Sequence, residues 1–152
     1  MKKAIYVGVF CLIVAGVGIT ALRNQLPVGP IILVLSLVPL LGLPLSKRAI
    51  RGAVPDIIFG SIDTGLLTLP ALLGAMTFGI PGAIAGGVIG DAITDSIAGF
   101  FEGSIAEWLR KKGIDESRER VTTALGKMTG CLLGSGLVLS LALLFGVRLT
   151  GV

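Results

Sequence analysis

Histidine is absent from the 152 residues, which removes imidazole from any metal-ligand set and from any acid–base step. Charged side chains are scarce at 14%, where soluble domains carry about a quarter, so composition excludes an ordinary water-soluble surface. Aromatic residues are few, and no basic face is interleaved with them, which excludes nucleic acid as a partner. Cysteine occurs twice, at Cys11 and Cys131, each inside an apolar run; both read as small packing residues rather than a disulfide. What is present is apolar, at 53% hydrophobic residues, and composition points to a membrane protein whose first partner is the lipid bilayer.

A helix needs roughly 20 apolar residues to cross the hydrocarbon core. Five segments qualify: residues 4–22, 28–45, 56–79, 82–101 and 124–147. The expected fold is therefore all-α, a polytopic membrane helical bundle forming one transmembrane domain over residues 1–152. The first segment follows "MKK" and competes with a signal-peptide reading, but it outruns a signal core and no A-x-A site follows, which favours a retained span. Pro30, Pro39 and Pro44 interrupt the second, which reads as broken or re-entrant. Residues 104–120 read as a cytoplasmic interfacial helix, with Trp108 beside Arg110, Lys111 and Lys112 as an anchor and Gly113 as its end. Its acids, Glu107, Asp115, Glu116 and Glu119, suit a solvated connector or, alternatively, ion delivery.

Lysine and arginine set the orientation. "MKK", then Lys47, Arg48 and Arg51, then Arg110, Lys111, Lys112, Arg118 and Arg120 all fall on one side if spans alternate. Arg23, the loop "GIPG" and Arg148 fall on the other. The expectation is a multi-pass cell-membrane protein with a cytoplasmic N-terminus and an external C-terminus.

Gly82, Gly86 and Gly90 repeat every four residues on the fourth span, as do Gly126, Gly130 and Gly134 on the fifth. Such stripes let helix backbones approach closely in lipid. They suit packing within the chain, and two of them leave room for a homodimer or higher homo-oligomer.

Carboxylates are the anomaly. Asp56 and Asp63 share a face of the third span, and Asp91, Asp95 and Glu102 fall within a sector of roughly 40° on the fourth. From Gly52 to Leu109 there is no Lys, Arg or His to neutralise them or Glu107. A charge at bilayer depth is unfavourable by at least ~2.5–3.5 kcal/mol, so these acids must be protonated, reach water or hold a cation. Asp56, after Pro55, also suits a helix start. If the four-residue loop "GIPG" closes the hairpin, residues whose numbers add to about 161 lie at equal depth, setting Asp95 against Leu66 and Asp91 against Pro70. Pro70 denies the Leu66 carbonyl its backbone donor. With Thr64, Thr68, Thr94 and Ser96 nearby, that outlines an oxygen cage suited to hard or borderline divalent ions. Asp63, Asp91, Asp95 and Glu102 are the expected metal ligands, and Asp56, Thr64, Leu66, Thr94 and Glu107 further pathway groups. Met76, a soft donor, reads as core.

The hairpin, residues 55–107, resembles the vacuolar iron transporter family. "DIIFGSIDTGL", residues 56–66, is similar to that family's opening D-I-I-F-G-x-x-D-G-L. "GGVIGDAITDSIAGFFEGSIAEWL" is similar to its second span, with Asp95 at the motif aspartate. The resemblance implies a homodimeric exchanger of divalent metal for protons, with Asp63 as the metal-binding aspartate of the first motif. Thr64 and Ser96 replace the glycines that follow the family's aspartates, Gly99 stands where it has methionine, and two spans precede the hairpin.

The leading expectation is a non-enzymatic transporter or channel for a divalent cation of the Fe, Mn or Mg kind, coupled to protons. The metal is its substrate, and no covalent cofactor is expected. Two alternatives stand beside it: an assembly subunit of a larger membrane complex, and a Mg-dependent enzyme acting on lipid phosphates through Asp91 and Asp95.

Overall fold

The computed structural model describes residues 2–113 and 119–147, apart from the side chains of residues 2, 98, 99, 101, 102, 105 and 106. Its regular elements are all helical: α1 (Lys2–Arg23), α2 (Val28–Leu35), α3 (Leu37–Leu45), a 3-10 turn (Ile50–Ala53), α4 (Val54–Lys111) and α5 (Arg120–Leu144). Four stretches are long and apolar enough to cross a membrane: Lys3–Arg23, Val28–Leu45, Ile50–Ile97 and Arg120–Leu144.

The third of these is too long for one crossing, and α4 folds back on itself at Gly79. That residue sits at φ 63°, ψ −145°, a conformation that an L side chain resists. A single glycine therefore joins two antiparallel arms, residues 54–78 and 80–111. The four-residue loop expected here does not form. Ile80 and Pro81 already belong to the second arm, where proline fits because an amide in the first turn has no intrahelical acceptor. Gly74 meets Gly82, Pro70 meets Gly86, and Leu67 meets Gly90, so facing residue numbers add to 156 or 157 rather than 161.

Glycine fixes the next contact as well. Gly126 lies against Ala53 and Asp56, Gly130 against Ile57 and Ser61, and Gly134 against Ser61. The first arm and α5 therefore run parallel, in the sense that spans three and five would share. A side chain at Gly130 would run into the Ile57 carbonyl, and one at Gly134 into the Ser61 carbonyl. Both glycine stripes are thus spent on contacts within the chain.

On its other side α5 carries α2 and α3, antiparallel to it. Gly29 sits on Leu139 and Ser140, Leu33 on Gly136, and Gly42 beside Leu125. The helix is interrupted at Ser36, since Pro39 offers no N–H to the Leu35 carbonyl. Ser36 keeps helical angles, φ −60° and ψ −23°, and its buried hydroxyl donates to the Leu33 carbonyl at 2.7 Å. The segment is broken, as its prolines suggest, yet both halves continue along α5. Outermost is α1, which rests Phe10 on Gly42 and donates from the Tyr6 hydroxyl to the Gly42 carbonyl at 2.7 Å. Phe10, Leu43, Ala53, Val121 and Leu125 form the buried core.

The separate interfacial helix expected over residues 104–120 is instead the end of α4, which continues unbroken to Lys111. Gly113 ends it at φ 68°, as its position in the sequence suggests, and Lys112 lies over the Trp108 ring at 4.0 Å. Asp115, Glu116, Arg118 and Arg148 lie outside the described residues.

Glu119 ties this end of the bundle together. One carboxylate oxygen accepts from Lys3 at 2.8 Å and lies 3.2 Å from Arg48; the other caps α5 by accepting from the Val121 and Thr122 amides at 2.9 and 3.1 Å. Arg51 donates to the Gly113 carbonyl at 2.8 Å. Lys3, Arg48, Arg51 and the basic end of α4 thereby gather at one end of the molecule, with Arg23 at the other end of α1.

The Lys3 hydrogen bond, the two capping amides and the Arg48 charge outweigh partial burial and hold the Glu119 carboxyl at about 2, below its ordinary 4.5. A depressed carboxylate stabilises the fold only while ionised. Its contribution is complete above pH 4.5 and disappears as pH falls toward 2. Glu119→Gln is expected to lose about 1–2 kcal/mol at neutral pH, and to flatten stability against pH between those limits, in thermal unfolding of the detergent-solubilised protein. Gly134→Leu is expected to prise α5 from α4 and to abolish a cooperative thermal transition, because the Ser61 backbone blocks any side chain there.

Candidate cation site

The position of Gly79 rearranges the acids. Counted along each arm at 1.5 Å per residue, Asp91 lies about 18 Å from the turn. Asp63 and Asp95 are each sixteen residues from Gly79, at about 24 Å; Asp56 and Glu102 are each twenty-three away, at about 35 Å. The acids thus form levels: Asp91 alone, then Asp63 with Asp95, then Asp56 with Glu102. The loop-centred register had set Asp63 about one turn away from Asp95. The corrected one also moves Leu66 from the level of Asp95 to that of Asp91, so the carbonyl denied a donor by Pro70 accompanies Asp91.

Side chains divide these residues further. Asp63 is half-buried, and its Oδ1 is enclosed with no hydrogen-bond partner among the described residues. Asp91 is exposed to an open groove of about 670 Å³ between the two arms of α4 and α5, together with Thr64, Thr68 and Ser135. Asp95 is exposed on the second arm. Asp56 is buried beside Gly126 as the acidic residue of the first turn of α4. It is not the capping residue, which is Ala53, but its carboxylate still meets the positive end of the helix dipole. The Glu102 side chain lies outside the described residues.

Several expected oxygen donors turn to their own helix. Ser96 donates to the Ala92 carbonyl at 2.8 Å, and the buried Thr94 donates to the Asp91 carbonyl at 3.2 Å. Thr68 donates to the Thr64 carbonyl at 2.6 Å and lies 3.0 Å from the Ser135 Oγ. The Leu66 side chain is exposed, and Glu107 pairs with Lys111 at 3.0 Å on the surface, which neutralises it. Met76 is exposed rather than core. Among the described residues no three carboxylates or thiols converge tightly enough to hold one metal ion. The acids form a file along the hairpin rather than a closed cage.

Two polar residues of α5 escaped the sequence reading. Ser135 enters the groove, and its signal was a hydroxyl set between Gly134 and Gly136 in an apolar span. Lys127 lies two turns inside α5, with its backbone carbonyl against Gly60 and its side chain exposed.

No family model, curated protein or solved structure matches the chain.

An enclosed carboxylate oxygen without a donor is unfavourable by about 1–3 kcal/mol. Asp63→Asn is therefore expected to raise the thermal midpoint of the metal-free protein by a few degrees, measured by differential scanning fluorimetry in detergent.

Proposed function

We propose that this chain lies in the cell membrane with its N-terminus cytoplasmic, crosses it five times, and carries a divalent cation along the acids of the α4 hairpin. The observation that carries the reading is Asp63: its enclosed Oδ1 has no hydrogen-bond partner among the described residues, on a hairpin with no basic residue between Gly52 and Leu109. A cation stabilises such a group where no side chain of the hairpin can. The levels of Asp91, of Asp63 with Asp95, and of Asp56 with Glu102 give it successive holding points from mid-membrane to the basic end. Weak holding at each suits passage better than a closed cage, since an ion bound by many ligands leaves slowly. Proton exchange is the coupling we favour, in keeping with the resemblance of residues 55–107 to a family that exchanges divalent metal for protons.

The resemblance of residues 55–107 to the vacuolar iron transporter family supports the same reading. So does the gathering of basic residues at one end of the bundle, the pattern of cytoplasmic loops. Asp95 lies exposed at about 24 Å from the turn, which favours a homo-oligomer in which a second copy removes it from lipid.

Uptake of Mn²⁺ into proteoliposomes containing a quenchable dye tests the proposal. The native chain is expected to accelerate quenching over empty vesicles and, by exporting H⁺ in exchange, to alkalinise the lumen in step. The Asp63→Asn, Asp95→Asn double variant is expected to retain under about a tenth of the rate, since removing two charges from one level costs several kcal/mol of ion stabilisation. Undiminished uptake in that variant overturns the assignment.

A further inference from the structure

The groove that receives Asp91 has a second property that a bare metal ion cannot use. It opens between the two arms of α4 and α5 and extends from the level of Thr64 and Asp91 toward the Gly79 turn. Its walls are overwhelmingly apolar, built from Leu67, Leu72, Ile84, Val88 and Leu139. Its volume, about 670 Å³, is that of a small-molecule site. Among the described residues, Asp91 is the one charged residue lining it, and Thr64, Thr68 and Ser135 are its only other polar side chains. No aromatic residue lines it among the described residues.

These features narrow the occupant. A neutral hydrophobe would fill the walls but leave the Asp91 carboxylate uncompensated away from water, which is unfavourable. An inorganic cation would compensate the carboxylate but gain nothing from the walls. A cation with an apolar body satisfies both. Such molecules accumulate in bilayers, and the groove is open to the surface of the bundle rather than enclosed. The glycine beneath it shapes the space: Gly87 lines the groove, and a side chain added there would meet no atom within 4 Å.

We propose that the groove between the α4 arms and α5 binds an amphipathic organic cation, its charge on the Asp91 carboxylate and its body along the apolar walls. The site shares Asp91 with the proposed cation path but does not rest on metal carriage, since it requires only that carboxylate and the groove. Its test contains no divalent ion, so the two readings fail separately.

The probe is tetraphenylphosphonium, titrated by equilibrium dialysis into the full chain held in nanodiscs of zwitterionic lipid, against empty nanodiscs. Saturable binding of one cation per chain is expected. Asp91→Asn is expected to weaken it at least tenfold, with Asp91→Glu restoring part of the loss. Gly87→Leu, which fills the groove from a position with free space, is expected to weaken it comparably while leaving thermal unfolding intact. Triphenylphosphine oxide, uncharged and of similar shape, is expected not to compete. Binding that never saturates above empty nanodiscs, that survives both Asp91→Asn and Gly87→Leu, or that the neutral analogue displaces equally well overturns the proposal and leaves a groove filled by lipid chains.

Discussion

Close backbone contact between α5 and the first arm of α4 is the constraint on which the bundle depends. Gly126, Gly130 and Gly134 bring the two helices so near that the carbonyls of Ile57 and Ser61 occupy the space of absent side chains. In lipid, where apolar burial offers little drive between helices, such contact gains dispersion over a long seam. Once α5 is fixed there, its opposite side is free for α2 and α3, which fit Gly29 onto Leu139 and Leu33 onto Gly136. Helix α5 is therefore the shared neighbour of α2, α3 and α4, and α1 is added outside them through Gly42.

Charge is arranged along the bundle as strictly as packing is across it. Cations gather at one end, where Glu119 accepts from Lys3, caps α5 and lies beside Arg48, and where Arg51 reaches the Gly113 carbonyl. Asp63, Asp91 and Asp95 follow inward from that same end, on the two arms of α4. Their attraction for positive charge is therefore directed inward from a rim that is itself basic. At the rim itself Glu107 is paired with Lys111 and so neutralised.

Much of this was legible in the residues. Apolar runs bounded by basic clusters marked the helices, four-residue glycine spacing marked the seams, and Gly113 marked the end of α4. Proline content foretold the interruption before Pro39, though not that Ser36 would keep helical angles and let the segment continue. The depth of each acid was not legible, because it depends on how many residues the turn consumes. "GIPG" looks like a loop of four, yet only Gly79 leaves the helix, since Pro81 is well suited to a first turn. That difference shifts the pairing by about one helical turn, enough to join Asp63 with Asp95 and part Asp91 from Pro70. The contribution of Ser135 depends on the rotation of α5 about its axis, which tertiary contact decides.

The one-residue connection at Gly79 also makes the second arm of α4 a lever with a known fulcrum. A swing of about 5° about that glycine carries Asp91 roughly 1.5 Å and Asp95 roughly 2 Å, in proportion to their distances along the rod. The first arm, which carries Asp63, is held against α5 by the glycine seam and stays where it is. Spacing between the stationary and travelling carboxylates is thus governed by one angle, and the Pro70 ring seated over Gly90 acts as the stop that limits its closing.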